Sequence, residues 1–285
     1  MPTLFEVYKS ATKKLKNIAK EEINVRSLLV SINHLDSMSD FYLKKDQEIV
    51  DLKKFNLDFE RYLNGEPIQY IIGESEFFGS KFNVDRRVLI PRQETEEVAL
   101  YALRKITTIF KFKKVTIGDV CCGSGCIGIS LAKHIGDCNL FLSDISKDAC
   151  DVAASNLAKN GVSGFVLTGD ALKPFIKHNI TLDVIVANPP YILNKSEVDE
   201  AVLKYEPHNA LFTSDDLDVY RSIIEDAPKV MNDKLLIVFE IGYDLKDKLI
   251  ALLHELNIPC QYTFRKDIDD KYRIFSILME RTIEA

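Results

Sequence analysis

The chain has 285 residues, 46% hydrophobic and 28% charged, with 12 glycines and 9 prolines. That is ordinary globular composition and excludes collagen-like and low-complexity chains. With 37 basic and 43 acidic residues the net charge is −6, which argues against a broad electrostatic grip on a nucleic-acid backbone. Apolar runs such as Leu235–Phe239 are far too short to span a bilayer. The opening MPTLFEVYKSATKKLK has no apolar core of the kind a signal peptide carries.

Residues 1–70 stand apart: they hold one glycine, Gly65, and their charges balance, so the net acidity lies downstream. Leu4, Tyr8, Ala11, Leu15 and Ile18 recur at helical steps, with Lys13, Lys14, Lys16 and Lys20 largely off that face. Shorter helices are predicted around Ser27–Ile32, Phe41–Leu43, Glu48–Leu52 and Asp58–Leu63, and Asn64-Gly65 reads as a left-handed helix stop. A small helical domain over 1–70 is therefore expected. A β-hairpin linker over 71–90 follows, because Glu76–Val84 places two aromatic-rich runs on either side of Gly79-Ser80.

From 91 to 285 strand and helix patterns alternate. Strands are predicted at Val115–Val120, Asn139–Ser143, Phe165–Thr168, Leu182–Ala187, Leu235–Phe239, Gln261–Phe264 and Arg273–Met279. Helices are predicted at Ser124–His134, Lys147–Lys159, Asp215–Val230 and Leu245–Leu256. Nearly uninterrupted apolar strands alternating with helices mean an α/β domain whose parallel sheet is covered on both faces. Five of the six cysteines lie between Cys121 and Cys150, and the sixth is Cys260. No Cys-x-x-Cys pair or zinc-like spacing occurs, so they read as buried free thiols in the reducing cytoplasm, and no metal is expected.

Strand Val115–Val120 runs into Cys121-Cys122-Gly123-Ser124-Gly125-Cys126-Ile127-Gly128, a Gly-x-Gly-x-x-Gly pattern between strand and helix. Alone it fits either a nucleotide cradle or a tight strand–helix turn. Asp119, at the strand's end, suits a ligand carrying an ammonium group better than a pyrophosphate, which it would repel. Asp144 closes the next strand, placed for two ribose hydroxyls, and can also cap the following helix. Asp170, with Ala171 beside it, closes the third strand where an adenine edge would lie. Carboxylates at three strand ends beside a glycine loop describe a nucleoside with an amino-acid tail, the shape of S-adenosyl-L-methionine.

Strand Leu182–Ala187 ends in Asn188-Pro189-Pro190-Tyr191. The two prolines remove backbone donors and stiffen the turn, leaving carbonyl acceptors facing outward. Asn188 adds a side-chain acceptor and Tyr191 a flat aromatic face. Two acceptors and a π surface match an –NH₂ group on a conjugated system. Holding both hydrogens localises the nitrogen lone pair and aims it at a sulfonium methyl.

Asp119-Val-Cys-Cys-Gly-Ser-Gly, Asp144, Asp170 and Asn188-Pro189-Pro190-Tyr191 together resemble a class I S-adenosylmethionine-dependent amino-methyltransferase. Gly65-Glu-Pro-Ile-Gln-Tyr-Ile-Ile-Gly-Glu74, Leu89-Ile-Pro-Arg-Gln-Glu-Thr-Glu96, Tyr205-Glu206-Pro207 and Ala210-Leu211 narrow the resemblance to the release factor glutamine methyltransferase family (PrmC/HemK). One departure is Cys121, where the family loop commonly has glycine.

The resemblance implies a Rossmann-like, seven-stranded, mostly parallel sheet with one antiparallel strand near the C-terminus. It implies methyl transfer to N5 of the glutamine in the Gly-Gly-Gln loop of peptide chain release factors, with S-adenosyl-L-homocysteine as the other product. Asn188 and the Pro189 carbonyl would hold the glutamine amide, with Pro190 and Tyr191 completing that site and Tyr191 packing on the amide. Asp119, Cys121, Cys122, Gly123, Ser124, Gly125, Asp144, Asp170, Ala171 and Asn188 would hold the cofactor. The helical domain would grip the release factor; a monomer without direct nucleic-acid or membrane contact is expected. The alternatives are an N6-adenine DNA or RNA methyltransferase, which shares the Asn-Pro-Pro-Tyr chemistry but normally needs a basic target-recognition region, and a non-catalytic nucleoside-binding module, against which the intact pair of motifs argues.

Overall fold

The computed structural model describes residues 1–15, 20–111 and 113–281. Lys16 and Ile18 of the first predicted helix lie outside them. The chain divides into two compact units, Met1–Glu74 and Ser75–Ala285.

The first unit is helical: α1 (Leu4–Leu15), α2 (Glu22–Ile32), α3 (Met38–Leu43), α4 (Leu52–Leu63) and α5 (Ile68–Ile72). Leu4, Val7, Ala11 and Leu15 of α1 turn inward onto Val25, Leu28, Phe41, Phe55 and Phe59, which gives this unit a core of its own. Ser37 and Asp51 cap α3 and α4 by accepting from the Asp40 and Lys54 N–H groups. The helix expected at Glu48–Leu52 is absent: Glu48 pairs with Thr3 in an antiparallel bridge, and Asp51 is spent as the cap. Gly65 takes φ +93° after α4.

Next comes a hairpin, β1 (Glu74–Phe77) and β2 (Ser80–Asn83), which belongs to the second unit from Ser75 onward. Its turn is Phe78-Gly79, with φ +48° and +72°, rather than the expected Gly79-Ser80. Both residues are left-handed, as a two-residue hairpin turn of the right twist requires. Phe77 and Phe82 bury completely in the core of the larger unit. Then follow α6 (Gln93–Phe110), β3 (Val115–Val120), α7 (Cys126–Ile135), β4 (Cys138–Asp144), α8 (Lys147–Asn160), β5 (Phe165–Thr168), α9 (Lys173–Lys177) and β6 (Leu182–Ala187). After β6 come α10 (Glu200–Tyr205), α11 (His208–Leu211), α12 (Asp218–Val230), β7 (Met231–Glu240), α13 (Lys246–Leu256), β8 (Gln261–Lys266) and β9 (Tyr272–Glu280).

Seven strands form one sheet in the order β5-β4-β3-β6-β7-β9-β8. Strand β9 runs antiparallel to both its neighbours, and β5, β4, β3, β6 and β7 are parallel to one another. The fold is the expected Rossmann-like α/β sheet. Side chains alternate between two cores: Ile117, Val184, Val186, Leu236 and Val238 on one face, Val120, Ile185, Ala187, Ile237 and Phe239 on the other. The chain leaves β3 toward β4 and β5 in one direction and builds β6 and β7 in the other. The carboxyl ends of β3 and β6 therefore flank the point where strand order reverses, the usual ligand crevice of an open α/β sheet.

Candidate active site

The loop after β3 is held from below. Gly128 donates its N–H to Asp119 Oδ2 at 2.8 Å. A Cβ on Gly128 would lie 2.8 Å from both Asp119 Cβ and Leu142 Cδ2, so only glycine lets α7 approach the strand this closely. Gly123 donates to Asp144 Oδ2 at 2.9 Å, and Cys122 N–H to the Ser143 carbonyl at 3.0 Å, tying the loop to the end of β4. Cys121 adopts φ +57°, a left-handed conformation that glycine enters more cheaply. Burial pushes the thiols of Cys121, Cys122 and Cys126 up, so they line the loop as neutral groups.

Asp119 is 1% exposed and its Oδ1 has no hydrogen-bond partner. Burial pushes its carboxyl up to about 7; the Gly128 N–H opposes the rise and the charge of Asp144 adds to it. An unfolded aspartate ionises near pH 4, so the folded chain retains a proton that the unfolded chain has lost, and stability falls as pH rises through that window. Asp119→Asn is therefore expected to melt at a higher temperature than wild type at pH 8 and at the same temperature near pH 4. Thermal unfolding of the ligand-free protein across pH checks this, and a pH-independent difference would contradict it.

A cavity of about 280 Å³ opens above the loop. Cys121, Cys122, Gly123, Ser124, Asp144, Asp170, Ala171 and Asn188 line it together with Ile127, Ile145 and Phe212. Asp119 and Gly125 do not: they lie in the layer beneath. Asp144 Oδ1 accepts from Ser146 N–H at 2.9 Å, and Ser146 rather than Asp144 caps α8. The helix-cap alternative for Asp144 is therefore wrong, and its carboxylate stands at the cavity wall. Burial raises its pKa, against the N–H groups of Ser146 and Gly123. Asp170 pairs with Lys173 across one turn. Apolar side chains and backbone amides, with one carboxylate at each of two strand ends, fit a nucleoside and the polar tail it carries.

A second cavity, about 270 Å³, lies beside the first and is lined by Asn188, Pro189, Pro190, Tyr191, Val198, Val202 and Glu240. Leu89, Arg92, Asn188, Pro190 and Ala210 line both. Burial pushes the Tyr191 phenol up to about 12, so it stays protonated; its oxygen accepts from Arg273 Nη1 at 3.4 Å. Tyr191 is thus an aromatic wall and not a base.

The two segments that contain Arg92 and Glu206 meet here: Arg92 Nη2 donates to Glu206 Oε1 at 2.6 Å, and Ile90 N–H to Glu206 Oε2 at 3.3 Å. Glu206 is buried, so this pair fixes one wall of both cavities. From sequence alone Arg92 and Glu206 carry no role, and Glu240 goes unmarked. The signal for Glu240 was present, since a lone carboxylate closes an apolar strand in Phe239-Glu240-Ile241-Gly242, as Asp119 does in β3. Among the described residues no group of three His, Cys, Asp or Glu is placed to hold a metal ion, and no helix is long and apolar enough to cross a membrane.

Two family models match the chain: a PrmC N-terminal domain over residues 6–73 and a methyltransferase small domain over residues 103–210. The release factor glutamine methyltransferase of Bacillus subtilis is 36% identical over 288 residues, covering 99% of each chain. That of Staphylococcus aureus is 39% identical over 238 residues, covering 82% of this chain and 84% of its own. Among solved structures, the catalytic domain of hMettl16 superposes with a TM-score of 0.57 at 12% identity, over 95% of this chain and 96% of its own; at that identity it speaks for the fold alone.

Proposed function

The chain belongs to the release factor glutamine methyltransferase family, and from that premise we propose how its two adjoining cavities carry out the reaction. The enzyme transfers a methyl group from S-adenosylmethionine to N5 of the Gly-Gly-Gln glutamine of peptide chain release factors. The observation that carries the assignment of residues is that Asn188 and Pro190 line both cavities, so a side chain held in the second faces a ligand held in the first.

When bound, S-adenosylmethionine supplies an electrophilic sulfonium methyl. The residues to hold it are the loop Cys121, Cys122, Gly123 and Ser124, with Gly125 shaping the turn, Asp144 for the ribose hydroxyls, and Asp170 and Ala171 at the adenine edge. Asp119 acts from beneath the loop, its unpartnered Oδ1 favouring an ammonium group across it. In the second cavity Asn188 Oδ1 and the Pro189 carbonyl accept the two glutamine N–H bonds, and Tyr191 with Pro190 confines the amide plane. Both hydrogens are then engaged and the nitrogen lone pair points at the first cavity. The proton leaves after the nitrogen has become cationic, so no strong base is needed. We place the enzyme in the cytoplasm as a monomer that uses no metal and makes no nucleic-acid contact.

Incubation with labelled cofactor and either a release factor or DNA tests the substrate class. Label on the release factor alone is expected; label on adenine would move the enzyme to the N6-adenine class. NAD should give no binding signal.

The helical unit is proposed to dock the release factor. It has its own core, and every residue assigned to the cofactor lies in the second unit. Binding energy remote from the reacting atoms belongs to such a docking part. A chain starting at Ser75, first checked for folding, should show a large rise in KM for the release factor and little change in cofactor affinity. A folded truncation with the full-length KM would show that the helical unit has another task.

A further inference from the structure

Glu240 has no part in the assignment above. It is 3% exposed and ends β7, one residue beyond Phe239, which pairs in parallel register with Ala187. Asn188 and Glu240 are thus the next residues on neighbouring strands, both at the sheet's carboxyl edge and both lining the second cavity. Parallel pairing at Ala187 and Phe239 sets the two side chains on the same face of the sheet at neighbouring positions. Thr95 of α6 donates its hydroxyl to Glu240 Oε2 at 2.6 Å, and the Tyr220 hydroxyl donates to the Glu240 carbonyl at 2.9 Å. Thr95 therefore anchors the carboxyl group and Tyr220 the backbone behind it.

A carboxamide has two faces, a carbonyl acceptor and an –NH₂ donor, and little in its own shape says which way round it sits. Asn188 can take a glutamine N–H only if its oxygen faces the substrate. A carboxylate beside a carboxamide attracts its –NH₂ end and repels its oxygen, which favours Nδ2 toward Glu240 and Oδ1 turned away from it. We propose that Glu240, anchored by Thr95, is the positioning residue that fixes the carboxamide of Asn188 in its acceptor-outward orientation for the glutamine. The inference rests on the role given to Asn188 above. It goes beyond that role in naming the group without which Asn188 can present its –NH₂ and repel the substrate amide.

Glu240→Met keeps the volume and removes the acceptor. It should lower kcat by about ten- to a hundredfold, the range for groups that orient a ligating side chain, while calorimetry finds cofactor affinity unchanged. Glu240→Gln should recover most of the rate: its Oε1 offers the Asn188 –NH₂ an acceptor while its Nε2 donates to the Thr95 hydroxyl. In an Asn188→Ala background, Glu240→Met should cost almost nothing further, because residues acting through one another are not additive. Three results would each overturn the inference: a full kcat in Glu240→Met, a Glu240→Gln enzyme as slow as Glu240→Met, or a full additional loss in the double variant. If Asn188→Ala is itself fully active, the reading of the site falls as a whole; if Asn188→Ala is slow and Glu240→Met is not, this inference alone falls. Should Glu240→Met not fold, Thr95→Val and Thr95→Ser give the same contrast, the valine slow and the serine restored.

Discussion

Asn188→Ala is expected to lower methyl transfer by about 10²–10³-fold while the cofactor still binds. That is the usual cost of removing one preorganised contact to a reacting group. Amide nitrogen is a poor nucleophile because its lone pair is shared with the carbonyl, and the site works by holding both hydrogens where the lone pair is freed. Alanine leaves the Pro189 carbonyl alone to do this, and the amide is then free to turn. Asn188 lines both cavities, so the change sits at their junction rather than deep in the cofactor wall. Asn188→Asp keeps an acceptor but adds a charge next to the sulfonium and to Glu240, so an intermediate loss with a dependence on pH is expected. Single-turnover rates with saturating cofactor measure both variants, and wild-type turnover in Asn188→Ala would contradict the mechanism.

Asp144→Ala should weaken S-adenosylmethionine binding by about 1.5–3 kcal/mol, the range for hydrogen bonds to a charged group. In the ligand-free protein its two oxygens take N–H bonds from Gly123 and Ser146, so the carboxylate both shapes the loop and offers its remaining lone pairs to the ribose. Asp144→Asn separates the two tasks. It keeps one acceptor for the loop and loses the charge, and should fall between wild type and alanine. Titration calorimetry on the full chain reads all three, and unchanged affinity in Asp144→Ala would show that the side chain serves the loop alone.

The central strands were legible because they are buried on both faces and read as nearly unbroken apolar runs. Val115–Val120 and Leu182–Ala187 begin and end where the sequence places them, and so does the exposed edge strand Phe165–Thr168. The longest helix, α6, was not predicted. Its inward residues Val98, Ala99, Ala102, Ile106 and Phe110 have helical spacing, but three glutamates, Glu94, Glu96 and Glu97, crowd its first turns and blur that face. Glu48–Leu52 failed for the opposite reason, since a pattern good enough for a helix was overridden by the bridge to Thr3.

At the site, the glycine loop and Asn188-Pro189-Pro190-Tyr191 are contiguous in sequence, and the structure brings them to one crevice. The partnerships Arg92–Glu206 and Thr95–Glu240, and the neighbouring positions of Glu240 and Asn188, join residues far apart in the chain, and only the strand order and the packing of α6 bring them together. Asp119 could be located at the strand's end from sequence, but its position beneath the loop follows from the close approach of α7 that Gly128 allows.

The most direct measurement is peptide mass spectrometry of a purified, unmodified release factor after incubation with this enzyme and S-adenosylmethionine. One added methyl group on the glutamine of the Gly-Gly-Gln motif is the predicted result. A release factor that remains unmodified, or carries the methyl group on any other residue, would contradict it.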